Sequence, residues 1–273
     1  TSYGNNTVAY DTFDRITTLG NMSLSWDRDK LVSITNSGQT YTYEYNINGL
    51  RTKKTNGTNV TNYTYEGDLL VKQDDGVDKV LYLYDENNIL YGLIWNDEKY
   101  FYKRNLIGEI TDIIDFNGNS VVKYSYDPFG KVESVTGSKA STLGVINSML
   151  YKGYYYDVET QLFYCNSRYY SPELCRWISP DSIEYLDPEN INGLNLYCYC
   201  MNNPIMYADP SGHFAISTLI IGAIIGFVVG GATSAITQGL NKGWDNINGW
   251  QVLLDAIIGG ISGAVGASGV NQV

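Results

Sequence analysis

One histidine, His213, serves the whole chain of 273 residues, and that scarcity removes most hydrolytic chemistry from consideration. A serine or cysteine nucleophile with a histidine base would have to work through this residue, which follows the turn sequence Asp209-Pro210-Ser211-Gly212. No Gly-x-Ser-x-Gly nucleophile turn occurs either. Cysteine is scarce as well: Cys165, Cys175, Cys198 and Cys200 lack the paired Cys-x-x-Cys spacing of a zinc site, so small buried thiols are the favoured reading and no metal or cofactor is expected. A Cys165–Cys175 disulfide stays open for an oxidising compartment, whereas alternation on one strand would keep Cys198 and Cys200 from bonding to each other. Basic residues number 18 against 29 acidic ones, giving a formal charge of -11 with no cationic stripe, and this excludes a nucleic-acid interface. The chain opens on Thr1 without a charged and apolar leader, which predicts a piece of a longer protein.

Tyrosine is abundant, with 25 copies against 7 phenylalanines. Five times between residues 41 and 126 one tyrosine follows another after a single intervening residue: Tyr43 and Tyr45, Tyr63 and Tyr65, Tyr82 and Tyr84, Tyr100 and Tyr102, Tyr124 and Tyr126. An acidic or amide residue comes next and usually a glycine, as in Tyr45-Asn46 with Gly49 and Tyr126-Asp127 with Gly130. The first tyrosines recur every 18 to 24 residues, the period of an array whose units cannot bury an apolar face alone. Residues two apart on a strand share a face, so each pair presents two rings side by side, and the rings are expected to stack along the array. The acid or amide and the glycine supply turn chemistry, giving strand, turn, strand. Tyr10-Asp11 with Arg15-Ile16, and Trp26-Asp27 with Lys30-Leu31, fit the same plan more loosely. The Asn-x-Thr sequons at Asn56, Asn59 and Asn62 arise readily by chance in a segment so rich in both residues.

These units resemble the tyrosine-aspartate (YD) repeats of Rhs proteins. Further along, Tyr151-Lys152-Gly153-Tyr154-Tyr155-Tyr156-Asp157, Asn166-Ser167-Arg168-Tyr169-Tyr170-Ser171-Pro172 and Arg176-Trp177-Ile178-Ser179-Pro180-Asp181 resemble the Rhs repeat-associated core domain. Gly193-Leu194-Asn195-Leu196-Tyr197, Asn202-Asn203-Pro204 and Asp209-Pro210-Ser211-Gly212 continue the match in order. The resemblance implies a mainly β fold: a spiralling antiparallel shell of YD repeats over residues 1–130, closed by a core-domain plug over 131–213. It also implies a function, the caging and presentation of a C-terminal toxin in competition between bacteria, by a secreted or cell-surface protein. The partners would be that toxin and the rest of the shell. A carbohydrate-binding repeat module is the alternative, because tyrosine rings beside amides and carboxylates suit sugar faces.

Rhs proteins and the similar Tc-toxin C components cut their own chain after the Asp-Pro-x-Gly-x stretch with a pair of aspartates, where two close carboxyls share a proton. The resemblance places Asp181 at the first catalytic position and the cut between His213 and Phe214. The second position carries Asn192, an amide that cannot titrate, and His213 and Pro180 replace the leucine and arginine common in self-cleaving members. Asp187 or Glu189 could substitute from the same loop; otherwise Asp181 is a turn residue, and an intact chain is expected.

After His213 the character changes. Residues 214–241 carry no charge, and Phe214 to Ala232 is long enough to cross a bilayer as a helix. Gly222, Gly226 and Gly230 recur at the spacing that lets helices approach closely, and a second run from Val252 to Val270 repeats it at Gly259, Gly263 and Ala267. The expectation for 214–273 is a glycine-zipper helical hairpin: a pre-toxin segment, a packed pair inside the shell, or a membrane-active element. Asp255 counts against two stable spans. With one lysine, two aspartates and no histidine, this tail holds too few groups for nuclease or transferase chemistry.

Overall fold

The computed structural model describes residues 2–3, 6–185, 194–209, 212–213, 216–217, 234–235, 237–238 and 246–267. Among these, fifteen strands from β1 (Ser2–Tyr3) to β15 (Val132–Thr136) form one antiparallel sheet in strict sequence order. No strand crosses over another, as expected when each unit packs only on its neighbours.

The turns explain the acid-glycine signature. Asp11, Asn46, Asp85, Asn105, Asp115 and Asp127 each accept two backbone N–H bonds through the side-chain Oδ1, from the residues two and four places on. A short acceptor side chain is needed for this, which is why aspartate and asparagine fill the position. The third residue of each turn takes a positive φ, from 80° at Gly49 to 90° at Gly130, with Asp14 (60°) and Asn88 (62°) tolerating the same region. A register shift follows each of these turns, so Tyr45 pairs with Arg51, Tyr84 with Leu90 and Tyr126 with Val132.

The tyrosine pairs divide their work. The first of each pair points into the core; Tyr43, Tyr63, Tyr82 and Tyr124 are all buried. The second reaches back one strand and donates to a carbonyl at the start of that preceding strand, which belongs to the previous unit. Trp26 Nε1 donates to the Ile16 carbonyl (2.8 Å), Tyr45 to Leu31 (2.7 Å), Tyr65 to Arg51 (3.0 Å), Tyr84 to Leu70 (3.0 Å), Arg104 Nη2 to Leu90 (2.9 Å) and Tyr126 to Ile110 (2.8 Å).

This ladder corrects the phase of the fourth unit: its pair is Tyr102 and Arg104, with Asn105 as the turn acceptor, and Tyr100 lies outside the pair. It also corrects the expected stacking. Tyrosine strands alternate with other strands, so equivalent rings stand about 9–10 Å apart, beyond stacking distance. Successive units are joined through hydroxyl-to-carbonyl bonds, and the inward rings pack on the core: Tyr43 on Tyr169 at 5.8 Å and Tyr63 on Tyr155 at 5.3 Å.

A short helix, α1 (Leu143–Ile146), leads from the large sheet into a second, four-stranded antiparallel sheet. Its strands are β16 (Tyr155–Asp157), β17 (Leu162–Cys165), β18 (Arg168–Ser171) and β19 (Arg176–Trp177). β17 and β18 are buried at every residue, because they lie on the large sheet with the tyrosines between. Arg51 crosses this junction. Its guanidinium donates to Asp157 at 2.6 and 3.2 Å, and the rings of Tyr43, Tyr63, Tyr155, Tyr164 and Tyr169 surround it at 4.6–5.7 Å.

All four cysteines are free thiols, so the Cys165–Cys175 bridge is not formed. Cys200 opens a helical turn with φ 48°, not a strand, and alternation does not apply to it. Of the expected helical hairpin, the second run is the helix α2 (Gly249–Ala267), with Asp255 hydrogen-bonded to Ser234 and Gln251. Most of the first run, including Phe214, lies outside the described residues. No helix among the described residues is long and apolar enough to cross a membrane.

Candidate functional site

Three stretches far apart in sequence meet where the chain leaves the core. β18 begins with Arg168, a cation in an otherwise aromatic strand. The segment after β19 is stitched on both sides, Ile178 N–H donating to the Tyr169 carbonyl at 3.0 Å and Asp181 N–H to the Leu196 carbonyl at 3.1 Å, which carries Asp181 to the start of β18. Asp209 opens a turn of the kind that ends the repeat strands: its Oδ1 accepts from Gly212 N–H (2.8 Å) and His213 N–H (3.0 Å). Gly212 stands at φ 80°, and a Cβ there would come within 2.4 Å of Ser167 Oγ and 2.6 Å of the Cys165 carbonyl oxygen. Only glycine fits this corner.

Arg168 organises the cluster. Its Nη2 lies 2.6 Å from Asp181 Oδ2 and 3.7 Å from Asp209 Oδ2, and Nη1 donates to the Leu196 carbonyl at 3.0 Å. Nε donates to the Gly212 carbonyl, and the guanidinium lies over the Trp177 ring at 4.3 Å. His213 Nδ1 is 2.9 Å from Asp181 Oδ1. Burial pushes the Asp209 carboxyl up to about 6, with Arg168 and the two turn N–H groups pulling the other way. A half-open cleft of about 750 Å³ faces the cluster, with Arg15, Arg28 and Lys30 on its far side.

The arrangement brings Asp181 and His213 together, and Asp181 is a buried ion-pair partner with only 5% of its side chain exposed. Its neighbouring carboxylate is Asp209, which the sequence reading treated only as part of a turn. Asn192, Asp187, Glu189 and Phe214 lie outside the described residues, so the scissile bond named for self-cleavage does too. Chemically, a guanidinium stands between the two carboxylates and partly opposes the effect of burial at Asp209, whereas an aspartic dyad holds one proton between two facing carboxyls. Arg51 and Arg168 were missed as functional residues; for Arg168 the signal was a lone cation beside Tyr169 and Tyr170, which calls for a buried acidic partner, whereas Arg51 in the polar run Arg51–Asn56 gave no such signal.

The arrays and the second sheet match known proteins. A family model described as Teneurin YD-shell matches residues 73–205. The tRNA3(Ser)-specific nuclease WapA of Bacillus spizizenii is 36% identical over 222 residues, 78% of this chain and 9% of that protein. Toxin subunit YenC1 of Yersinia entomophaga is 33% identical over 117 residues, 43% of this chain and 11% of that protein. The chain belongs to the Rhs-type YD-repeat shell proteins. The fold agrees: the Photorhabdus luminescens Tc holotoxin pore superposes with a TM-score of 0.63 at 23% identity, over 76% of this chain and 11% of that one. The YD-shell chain spans only about a tenth of the length of these relatives. The inward tyrosines Tyr43, Tyr63, Tyr82 and Tyr124 are buried, so their ring faces are not open to a sugar.

Proposed function

We propose that this chain forms part of the shell, and the closing core, of a toxin in which the YD repeats cage a C-terminal effector until it is delivered between competing bacteria. Residues 1–130 serve as repeat wall, 131–213 as the core that seals it, and 214–273 as the start of the variable region. The observation that carries this reading is the anchoring of the chain at Asp209–His213, where Arg168, Asp209 and Gly212 hold the outgoing segment against the buried second sheet. A WapA relative named as a tRNA nuclease supports an effector downstream of such a shell. The test is protease digestion of the full-length protein: the effector region should survive while the shell is folded and be degraded once it is denatured. Degradation at the rate of the isolated effector would sink the cage.

Within this reading, the Asp181–Arg168–Asp209 cluster works as an anchor, and the chain stays intact after His213. Arg168 pairs with Asp181 at 2.6 Å and lies 3.7 Å from Asp209, so above about pH 6, where Asp209 is ionised, a cation and not a proton stands between the two carboxylates. Denaturing mass spectrometry of the full-length protein should give one uncut species. A cut between His213 and Phe214 that disappears in Asp181→Asn would make the cluster a self-cleavage site instead.

A further inference from the structure

Arg104 breaks the ladder's chemistry, since it stands where four other units place a tyrosine hydroxyl. Two bonds are formed by its guanidinium, to the Leu90 carbonyl at 2.9 Å and to the Gly108 carbonyl at 3.4 Å. Its Nε is sealed from solvent and has no partner among the described residues. No carboxylate among them forms an ion pair with it, in contrast to Arg15, Arg51 and Arg168, each of which has an aspartate oxygen at 2.6 Å. Burial pulls the Arg104 pKa down, with only tyrosines opposing it. A cation held this way is a charge awaiting a partner.

The guanidinium borders a half-open cavity of about 360 Å³ between the large sheet and the second sheet, a volume typical of small-molecule sites. Lys152 lines the same cavity, and the Lys152–Gly153 turn closes over Arg104: a Cβ on Gly153 would lie 3.5 Å from Arg104 Nη2. Lys152 Nζ gives one bond to the Tyr207 carbonyl at 2.9 Å and one to the Pro204 carbonyl, which leaves it a third N–H. The tyrosine hydroxyls around the cavity are already engaged. Those of Tyr65 and Tyr84 serve the ladder, and those of Tyr154, Tyr155 and Tyr164 bond within the core. The remaining walls are largely aliphatic, from Leu69, Leu70, Ile89, Leu90, Ile107 and Met149, and the one acidic lining residue, Asp68, is exposed in a hairpin turn.

We propose that this cavity binds a small amphipathic carboxylate, its charged end on Arg104 and Lys152 and its apolar body against the aliphatic wall. A guanidinium accepts a carboxylate through paired N–H bonds, and an apolar enclosure of this size strengthens the pairing by excluding water. The site uses none of the Arg168, Asp181, Asp209 and His213 side chains and does not depend on what the shell encloses.

The test uses 4-phenylbutyrate as the probe and 4-phenylbutanol as its uncharged counterpart, titrated into the full chain by calorimetry and by ligand-observed NMR. The carboxylate should bind saturably and at least about tenfold more tightly than the alcohol, a difference of about 1.4 kcal/mol. Arg104→Tyr installs the ladder's usual residue, so it should keep the melting temperature of the free protein and lose that preference. Lys152→Met serves as a second variant and should weaken the carboxylate selectively. Equal binding of acid and alcohol, no binding of either, or unchanged binding by a folded Arg104→Tyr would overturn the proposal.

Discussion

Arg51 Nη1 lies 2.6 Å from Asp157 Oδ2, with both side chains buried and 106 positions apart in the chain. This pair joins the repeat sheet to the second sheet, with Lys54 Nζ adding a bond to Asp157 Oδ1 at 3.1 Å. Arg51 stands at a strand start where other units place Ile16, Leu90 or Ile110, so the repeat itself did not call for a charge there. Burial pushes the Asp157 carboxyl up, but Arg51 and Lys54 more than offset this and hold it below the ordinary carboxylate range.

Removing one partner strands the other. Asp157→Ala should destabilise the protein by about 3–5 kcal/mol, because Arg51 is left charged and enclosed by rings. The double change Arg51→Leu with Asp157→Leu should recover most of that loss. Urea unfolding followed by tryptophan fluorescence would read both, Trp177 being buried in the same core. Equal destabilisation by the single and double variants would show that the pair does not hold the junction.

The hydroxyl ladder has its own signature. Tyr84→Phe and Tyr126→Phe should each cost about 1 kcal/mol, the net worth of one intramolecular hydrogen bond. Tyr91→Phe, whose ring stacks at 6.4 Å on Phe101 and whose hydroxyl has no described partner, should cost close to nothing. The midpoint of urea unfolding at constant slope is the readout. Equal losses at Tyr84 and Tyr91 would remove the ladder as a source of stability.

Two glycines separate strain from collision. Gly118 and Gly212 both hold positive φ, 85° and 80°, but a Cβ meets nothing within 4 Å at Gly118 and strikes Ser167 and Cys165 at Gly212. Gly118→Ala should cost about 1 kcal/mol from the backbone alone. Gly212→Ala should cost clearly more and speed hydrogen exchange at the amide of His213, which the Asp209 turn now protects.

Asp209 makes stability depend on pH. Its folded pKa of about 6 lies above the ordinary aspartate value of 3.8, so the folded state binds the proton more tightly. The contribution is fully present below about pH 4 and is lost as pH rises through 6, a change on the order of 1–3 kcal/mol. Asp209→Asn keeps a carbonyl oxygen for Gly212 and His213 while removing the titration. Stability measured from pH 4 to 7 should fall less steeply in that variant than in the parent protein, and identical slopes would assign the effect to other groups.

Local chemistry was legible in the chain because it is repeated and short-range. The tyrosine spacing, the Asx-and-glycine turns and the ordered core motifs each depend on residues within about one repeat of each other, where backbone geometry leaves few choices. The phase of the fourth unit was not legible, since Tyr100, Tyr102 and Arg104 all alternate onto one face and only the Leu90 carbonyl reveals which of them closes the ladder. The meeting of Asp181 with Asp209 was equally hidden, for it is made by Arg168, which lies well over one repeat from Asp209 in sequence.

The sequence by itself determined an antiparallel array of tyrosine-bearing strands and its Rhs character, because a two-residue side-chain period and a repeating turn are properties of the local chain. Only the tertiary structure decided which face the rings bury and which arginines find carboxylates. Those outcomes depend on where a second sheet lies against the first, and charges there are sorted by burial and distance through space, not by position along the chain.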